Sequence, residues 1–299
     1  MATVSLRRTT GERGFVLPLV LSLLALLALV GTRLASASRT EIRIASALRA
    51  SALVELAADT AVQEIVMRLL RGTWPVSGLA APVPAVSLRV GTIPVVVLVT
   101  DEAVKINPNY ASATTLRCLI GLAGVDDLTA KQLADAILEW RQPTPITSGG
   151  ERKRTLYESS GLNYAPSGRM FDNLDELELV LGMTPRIFAS IRPALTVYDV
   201  GDIKLDGASP LVTEAVRMAR QIEPAAATLG FPSPDRVARI QATATTRGAR
   251  YTRDAIVRLK ARPRADEAPY QFLTWDVGTE ASPVGQAVSD DGRRPPPGP

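Results

Sequence analysis

The stretch FVLPLVLSLLALLALVGT, residues 15–32, decides the architecture of this 299-residue chain. It contains no charged residue and follows a short leader rich in arginine. Behind it, residues 32–71 contain no proline or glycine, and their apolar residues recur at helical spacing before Gly72 and Pro75 end the pattern. The spacing predicts one continuous helix over residues 15–71, which would be about 85 Å long.

Three interpretations of residues 1–40 are open. A secretory signal peptide would be removed after the small residues 35–37. A plain membrane anchor would keep the uncharged run, which reaches about 27 Å and just crosses a bilayer core. A prepilin-type signal would be cut after Gly14 and would keep the apolar segment that begins at Phe15. Because Gly14 precedes the apolar run and a long helix continues behind it, the sequence favours the third interpretation.

Composition argues against several kinds of chemistry. Histidine is absent and Cys118 is the only cysteine, so a zinc site, a disulfide within the chain and imidazole catalysis are disfavoured. The net charge of +4 is spread over interspersed acidic and basic residues, whereas a nucleic-acid surface needs clustered basic residues. The neighbours Asp101 and Glu102 would point to opposite faces of a strand and so do not form an acid/base pair. We therefore predict that the chain is not an enzyme.

The remaining sequence predicts an α+β domain that a helical insertion interrupts. Strand patterns occupy residues 86–100 and return after Pro193, while the sequence between them is helical or loop. The predicted domains are a leader at residues 1–14, a long helix at 15–71, and an α+β domain in two parts, 72–106 and 194–279. An all-α insertion at 107–193 separates these two parts, and a disordered tail follows at 280–299.

Two helix–hinge–helix patterns mark the insertion. The first has Gly121 and Gly124 between its helices, and the second has Gly182 and Pro185. Such hairpins can bind DNA phosphates through backbone N–H groups. Because two aspartates follow Gly124, and would repel phosphate, we interpret all four residues as structural hinges and expect no nucleic-acid partner.

Three segments resemble the K class of minor pseudopilins in type II secretion systems, a branch of the type IV pilin-like family. Residues 101–109 (DEAVKINPN) resemble the family pattern DE-x-GKINLN, apart from Val104 in place of glycine and Pro108 in place of leucine. Residues 133–141 (LADAILEWR) resemble LADAI-x-DWR, and residues 171–185 (FDNLDELELVLGMTP) resemble F-DS-x-EEL-x-x-V-x-GMTP. The resemblance implies a long N-terminal helix on a pilin-like antiparallel sheet, interrupted by a helix-hairpin-helix-like insertion.

The resemblance also assigns roles near the N-terminus. A prepilin peptidase would cleave after Gly14 and methylate the new amino group of Phe15. Most pilins have glutamate at the fifth mature position, where this chain has Leu19. In the family that carboxylate pairs with the N-terminal amine of a neighbouring subunit, so its absence implies a position at the tip of the filament.

Residues at the start of the insertion form the predicted domain-junction motif, namely Asp101, Glu102, Lys105, Asn107 and Asn109. Members of the family hold calcium with acids of the insert loops. Here Glu151 is the candidate ligand, together with Glu158, and the alternative is that both are solvated loop acids. No other cofactor is expected.

Taken with the resemblance, the sequence predicts a structural cap at the tip of a periplasmic pseudopilus that starts assembly with I- and J-class minor pseudopilins and serves protein export. The apolar stripe of residues 34–70 would contact the helices of those partners. The chain would be single-pass in the inner membrane of a Gram-negative bacterium, with its C-terminal head in the periplasm. Two alternatives remain open: a membrane-anchored, competence-type DNA-binding protein and a minor pilin of a type IV pilus.

Overall fold

A computed structural model describes residues 16–74, 85–142, 150–199, 201–224 and 233–278 of the chain. Helix α1, Val16–Leu70, contains 55 residues, which confirms the long uninterrupted helix. Its apolar residues from Leu17 to Val30 are exposed, whereas a stripe from Val54 to Val66 is buried. Among the described residues, no helix is both long and apolar enough to cross a membrane.

The sheet contains five antiparallel strands in the order β1-β2-β3-β4-β5. Their bounds are Val86–Val90, Ile93–Asp101, Arg236–Thr246, Ala249–Leu259 and Tyr270–Val277. The hairpin predicted at residues 86–100 and the three later strands are confirmed within a few residues. Strand β2 pairs directly with β3, with Asp101 opposite Ala238, so the chain leaves the sheet and returns to the neighbouring position.

The first hydrophobic core lies between α1 and one face of the sheet. Alternate residues of β2 point toward the helix, as the two-residue period of a strand requires, and β3 presents a row of small alanines. The face of α1 that packs on the sheet also contains small residues, so the helix and the sheet approach closely. The fully buried members include Ala58, Ala61, Val62, Ile65, Val66, Val99, Ala238, Ile240, Ala242 and Ala244.

A block of helices between β2 and β3 encloses a second core. Its helices are α2 Ala113–Leu122, α3 Asp127–Arg141, α4 Gly150–Ser159, α5 Pro185–Ile191 and α6 Pro210–Ile222. Four of them start at a side chain that accepts a hydrogen bond from the first turn. These N-caps are Ser112 for α2, Asp126 for α3, Thr184 for α5 and Ser209 for α6. The block's core includes Leu116, Leu119, Leu133, Ile137, Trp140, Leu177, Ile191 and Ala215.

The helical block extends further along the chain than the predicted insertion, residues 107–193. Helix α6 contributes Val212, Ala215, Val216 and Ala219 to the core of the block. This apolar stripe has helical spacing and packs against α2, so the chain rejoins the sheet only at β3. The sequence assigned α6 to the domain built on the sheet because a helical pattern does not say which core will receive it.

Two local predictions were wrong. Strand character was expected to return at residue 194, but there the structure has only an isolated parallel bridge between Ile106 and Leu195. The segment between the two hairpins was expected to be a loop, yet α4 forms within it. Tyr157 of α4 is buried and packs against the rings of Trp140 and Tyr164, and this aromatic contact holds α4 against the block.

Candidate functional site

The predicted junction motif lies where β2 ends and the helical block begins. Asp101 closes β2 and caps a short 3₁₀ turn, with its Oδ1 accepting a hydrogen bond from the Ala103 N–H at 3.0 Å. Its Oδ2 is 3.2 Å from Lys204 Nζ and 3.4 Å from Arg236 Nε. The Asp101 carboxylate, only 4% exposed as a residue, therefore links the end of β2 to the start of β3 and to the segment before α6.

Glu102 is fully buried and lies between two basic side chains. Its Oε1 is 2.7 Å from Lys105 Nζ and 3.2 Å from Arg239 Nε. Burial raises the pKa of the Glu102 carboxyl, but Lys105 and Arg239 outweigh it, with help from Thr196, and the net pKa is lowered. The carboxylate therefore stays ionised inside the protein, as a buried charge can when it is paired.

Arg239 extends this network across the sheet. Its guanidinium also reaches Asp254 of β4, with 3.1 Å between Arg239 Nη1 and Asp254 Oδ2. Gln241 donates to the same Asp254 oxygen at 2.8 Å. Glu102, Arg239 and Asp254 thus form a continuous ionic path from the entrance of the helical block to the outer strands of the sheet.

The two asparagines of the motif join distant parts of the backbone. Asn109 accepts from the Phe171 N–H at 2.7 Å and donates to the Phe171 carbonyl at 2.9 Å. Asn107 donates to the carbonyl of Asp199 at 2.6 Å and accepts from the N–H of Asn109 at 2.9 Å. Ile106 exchanges backbone hydrogen bonds with the segment that leaves α5. The motif therefore acts as a rigid connector at the entrance and exit of the block.

Asp199 adds a second carboxyl to the junction. Its pKa is raised, first by burial and then by the charge of Asp101, although Lys204 acts in the opposite direction. The junction therefore holds one carboxyl that is stabilised as an anion and another, Asp199, that binds a proton more readily than usual.

The sequence did not reveal the basic partners of the motif. Arg141, at the end of α3, donates to the carbonyls of Pro108 and Ala111, the latter at 2.9 Å. Lys204, Arg236 and Arg239 all lie more than a hundred residues beyond Asp101 in the chain. A buried acidic pair in an otherwise apolar strand was the available signal that such partners exist, but not which ones.

The four predicted hinge residues have different surroundings. Gly124 and Gly182 have φ angles of 86° and 85°, which favour glycine, and each ends a turn between elements. Pro185 occupies the first turn of α5, where its missing N–H costs nothing. Gly121 instead lies in the last turn of α2, where it is a helical residue, and its role as a hinge stays a prediction.

The remaining predicted sites are less constrained by the structure. Leu19 lies on α1 with 59% of its surface exposed. Gly14 and Phe15 lie outside the described residues. Glu151 belongs to α4, but its side chain also lies outside the described part. Within the described ranges, no group of three histidine, cysteine or acidic residues could hold a metal ion, and calcium binding stays a prediction.

A buried arginine fastens α1 to the sheet, and the sequence had not singled it out. Arg253 of β4 lies on the helix-facing side, where its Nε is 2.7 Å from Asp59 Oδ1 and its Nη2 is 3.4 Å from Glu55 Oε1. The guanidinium also lies 5.0 Å and 5.1 Å from the ring centres of Tyr251 and Trp275. These contacts hold the C-terminal half of α1 against the sheet.

Comparison with known proteins adds to this geometry. The family model for type II secretion system protein K, first domain, matches residues 95–200, which include the junction motif and most of the helical block. No curated protein matches the chain. A chain in the crystal structure of the GspK-GspI-GspJ complex from the enterotoxigenic Escherichia coli type 2 secretion system is similar in fold, with a TM-score of 0.52 and 12% identity. The similarity covers 81% of this chain and 99% of that chain. Residues 95–200 are therefore similar to protein K of type II secretion systems, and the solved structure shows that the chain shares the fold of that neighbour.

Proposed function

We propose that the chain is a minor pseudopilin that caps the tip of a periplasmic pseudopilus and starts its assembly. The observation that carries the proposal is the rigid attachment of the helical block. The block is joined to the sheet by ion pairs and by the asparagine hydrogen bonds at its entrance and exit. A head fixed in this way would clash with a subunit stacked above it, so the chain suits the end of a filament. The role is structural, with no catalysis.

The proposed partners are the I- and J-class minor pseudopilins. The solved relative is a complex of GspK with GspI and GspJ, which supports this choice. The exposed apolar residues of α1, among them Leu48, Leu53 and Leu56, would supply the contact surface on this chain. Leu19 in place of a carboxylate agrees with a subunit that has no neighbour above it.

The proposal includes processing and anchoring at the N-terminus. A prepilin peptidase would cut between Gly14 and Phe15 and methylate Phe15. The apolar start of α1 would then hold the chain in the inner membrane, with the head in the periplasm. Mass spectrometry of the mature N-terminus tests this step. N-methyl-Phe15 supports the proposal, whereas a mature protein that starts near residue 38 contradicts it.

Co-expression of the full chain with I- and J-class pseudopilins, followed by affinity purification, tests the assembly. Leu56→Arg places a charge on the exposed side of α1, and Leu128→Arg places one on α3 at similar exposure, 63% and 65% respectively. We expect Leu56→Arg to lose the partners and Leu128→Arg to keep them. Equal recovery of the partners by both variants would contradict the proposed contact surface, and salt-dependent binding of duplex DNA by the chain would favour a DNA-binding function instead.

A further inference from the structure

A cleft of about 630 Å³ opens between the sheet and the helical block. Its floor is the face of β4 and β5 that points away from α1, including Asp254 and Asp276. Its opposite wall comes from the block and includes Lys105, Asp175, Arg192 and Tyr198, and Arg239 of β3 also lines it. The volume is within the range of about 300–1,000 Å³ that ligand sites commonly occupy. The cleft can therefore receive several side chains of a bound molecule.

The edge of the sheet runs along this cleft. In the described part of the chain, β5 is the last strand of the sheet. Asp276 is paired with Asp254, and the Gly278 N–H beyond it donates to the Thr252 carbonyl at 2.9 Å. Because hydrogen-bonding direction alternates along an antiparallel strand, the backbone groups of Trp275 and Val277 turn outward. These groups form a template to which another strand can pair.

The composition of strand β5 gives its edge little protection, although the pairing of β4 with β5 is irregular between Ile256 and Val257. Its sequence, YQFLTWDV, contains no proline, lysine or arginine, which are the residues that commonly prevent pairing at an edge. The opposite edge strand, β1, has only five residues, compared with eight in β5. The longer edge, which also lines the cleft, is therefore the better candidate for strand addition.

The charges beside this edge indicate what an added strand should carry. Asp254 and Asp276 are directly opposite each other on β4 and β5, an arrangement in which like charges are destabilising. Arg239 and Gln241 both contact Asp254 Oδ2, and Asp254 Oδ1 is buried without a hydrogen-bond partner. Asp276 is exposed and forms no ion pair with another described side chain. A cation placed next to Asp276 would offset the repulsion of the two carboxylates.

We propose that β5 accepts, by strand addition, an extended segment of a partner chain that carries a basic side chain over Asp276 at the mouth of the cleft. Arginine fits best, because its planar guanidinium can form two parallel hydrogen bonds with the exposed carboxylate of Asp276. The mouth of the cleft can adapt to the segment, since the pair of Arg192 and Asp175 there is exposed and 3.2 Å apart, and such pairs contribute little. This binding mode stands apart from the tip-cap role, and its failure would leave that role untouched.

The test is fluorescence anisotropy with the full chain and a labelled octapeptide of alternating threonine and valine that has one central arginine. A second octapeptide replaces the arginine with glutamine. Asp276→Asn removes the charge at the edge, and Asp266→Asn is the matched control in the exposed loop before β5. Val277→Pro removes one outward N–H and blocks pairing at the edge. Thermal unfolding of each variant checks that the fold is kept.

We expect the arginine peptide to bind the unmodified chain and the Asp266→Asn variant equally, and about fivefold more weakly to Asp276→Asn. The glutamine peptide should not distinguish these three proteins. Val277→Pro should weaken both peptides at least about tenfold. The inference is overturned if neither peptide binds at about millimolar concentration, if Val277→Pro binds as well as the unmodified chain, or if Asp276→Asn leaves the preference for arginine intact.

Discussion

Replacing Arg239 with alanine tests whether the ionic path at the junction stabilises the fold. The change leaves the fully buried Glu102 with only Lys105 as a charged partner, at 2.7 Å. It also removes the basic partner of Asp254. Removing one member of a buried ion pair costs about 3–5 kcal/mol. Since Lys105 remains and the side chain of Arg239 is 29% exposed, we expect a loss at or just below the lower limit of that range, about 2–3 kcal/mol.

The pH dependence of this loss distinguishes an electrostatic effect from lost packing. The folded-state pKa of Glu102 is lowered from 4.5, so its contribution to stability is present above that value and is lost as pH falls through the folded-state pKa. Without Arg239, burial is less opposed and the pKa of Glu102 rises. The difference in unfolding free energy between Arg239→Ala and the unmodified chain should therefore be full at pH 7 and shrink in acid.

Urea denaturation, followed by tryptophan fluorescence at neutral and acidic pH, measures both quantities. Arg169→Ala is the matched control, because its ion pair with Asp172 is exposed on both sides, 68% and 75%, and should contribute at most about 1 kcal/mol. Equal losses in the two variants would refute the assignment of Arg239 to a buried network. A loss in Arg239→Ala that does not depend on pH would refute the role of charge.

Four further predictions concern the junction and the two glycines Gly182 and Gly121. Asn109→Ala leaves the N–H and carbonyl of Phe171 without partners and should lower the unfolding free energy by about 2–3 kcal/mol in urea denaturation. Asp199→Asn should stabilise the chain at neutral pH. Because the folded-state pKa of Asp199 is raised, the stabilising contribution of its carboxyl is present at low pH and is lost as pH rises through that pKa, whereas asparagine does not titrate. Equal unfolding free energies of the two proteins at every pH would contradict this prediction. Gly182→Ala should destabilise the chain by about 1–2 kcal/mol, because φ is 85° and the new Cβ meets Leu133 at 3.4 Å. Gly121→Ala should instead stabilise α2 by up to about 1 kcal/mol, since the new Cβ meets nothing within 4 Å. Thermal melts in which Gly182→Ala is more stable than Gly121→Ala would contradict both predictions.

Local patterns were enough to locate most of the secondary structure. The long helix, the first hairpin and the three later strands each have a period that the chain shows over many residues. Helices α2 and α3 begin after Ser112 and Asp126, which are residue types that favour helix N-caps. Helix α4 escaped prediction because its charged sequence, GERKRTLYES, has no clear apolar stripe. Among its described side chains, Tyr157 is the one buried in the core of the block.

The candidate site was likewise only partly predictable from the sequence. The motif at residues 101–109 could be recognised as a junction because it interrupts the strand pattern and resembles the segment that leads into the helical insertion of the family. Its partners Lys204, Arg236 and Arg239 could not be named, since pairing across such a separation depends on how β2 and β3 lie side by side. The cleft beside β5 had no signal in the sequence, because its walls come from residues 105–198 and 239–278, which are brought together only by folding.

Residues 15–32 and the helical pattern behind them determined, by sequence alone, that a long helix organises this protein. Hydrophobic periodicity is a local property, and it specifies a helix and its apolar face before any packing occurs. Only the tertiary structure decided which core each apolar face joins, as α6 shows by packing in the helical block rather than against the sheet. It also decided the charge pairing at the junction, because the energy of a buried ion depends on neighbours that the chain brings together only when it folds.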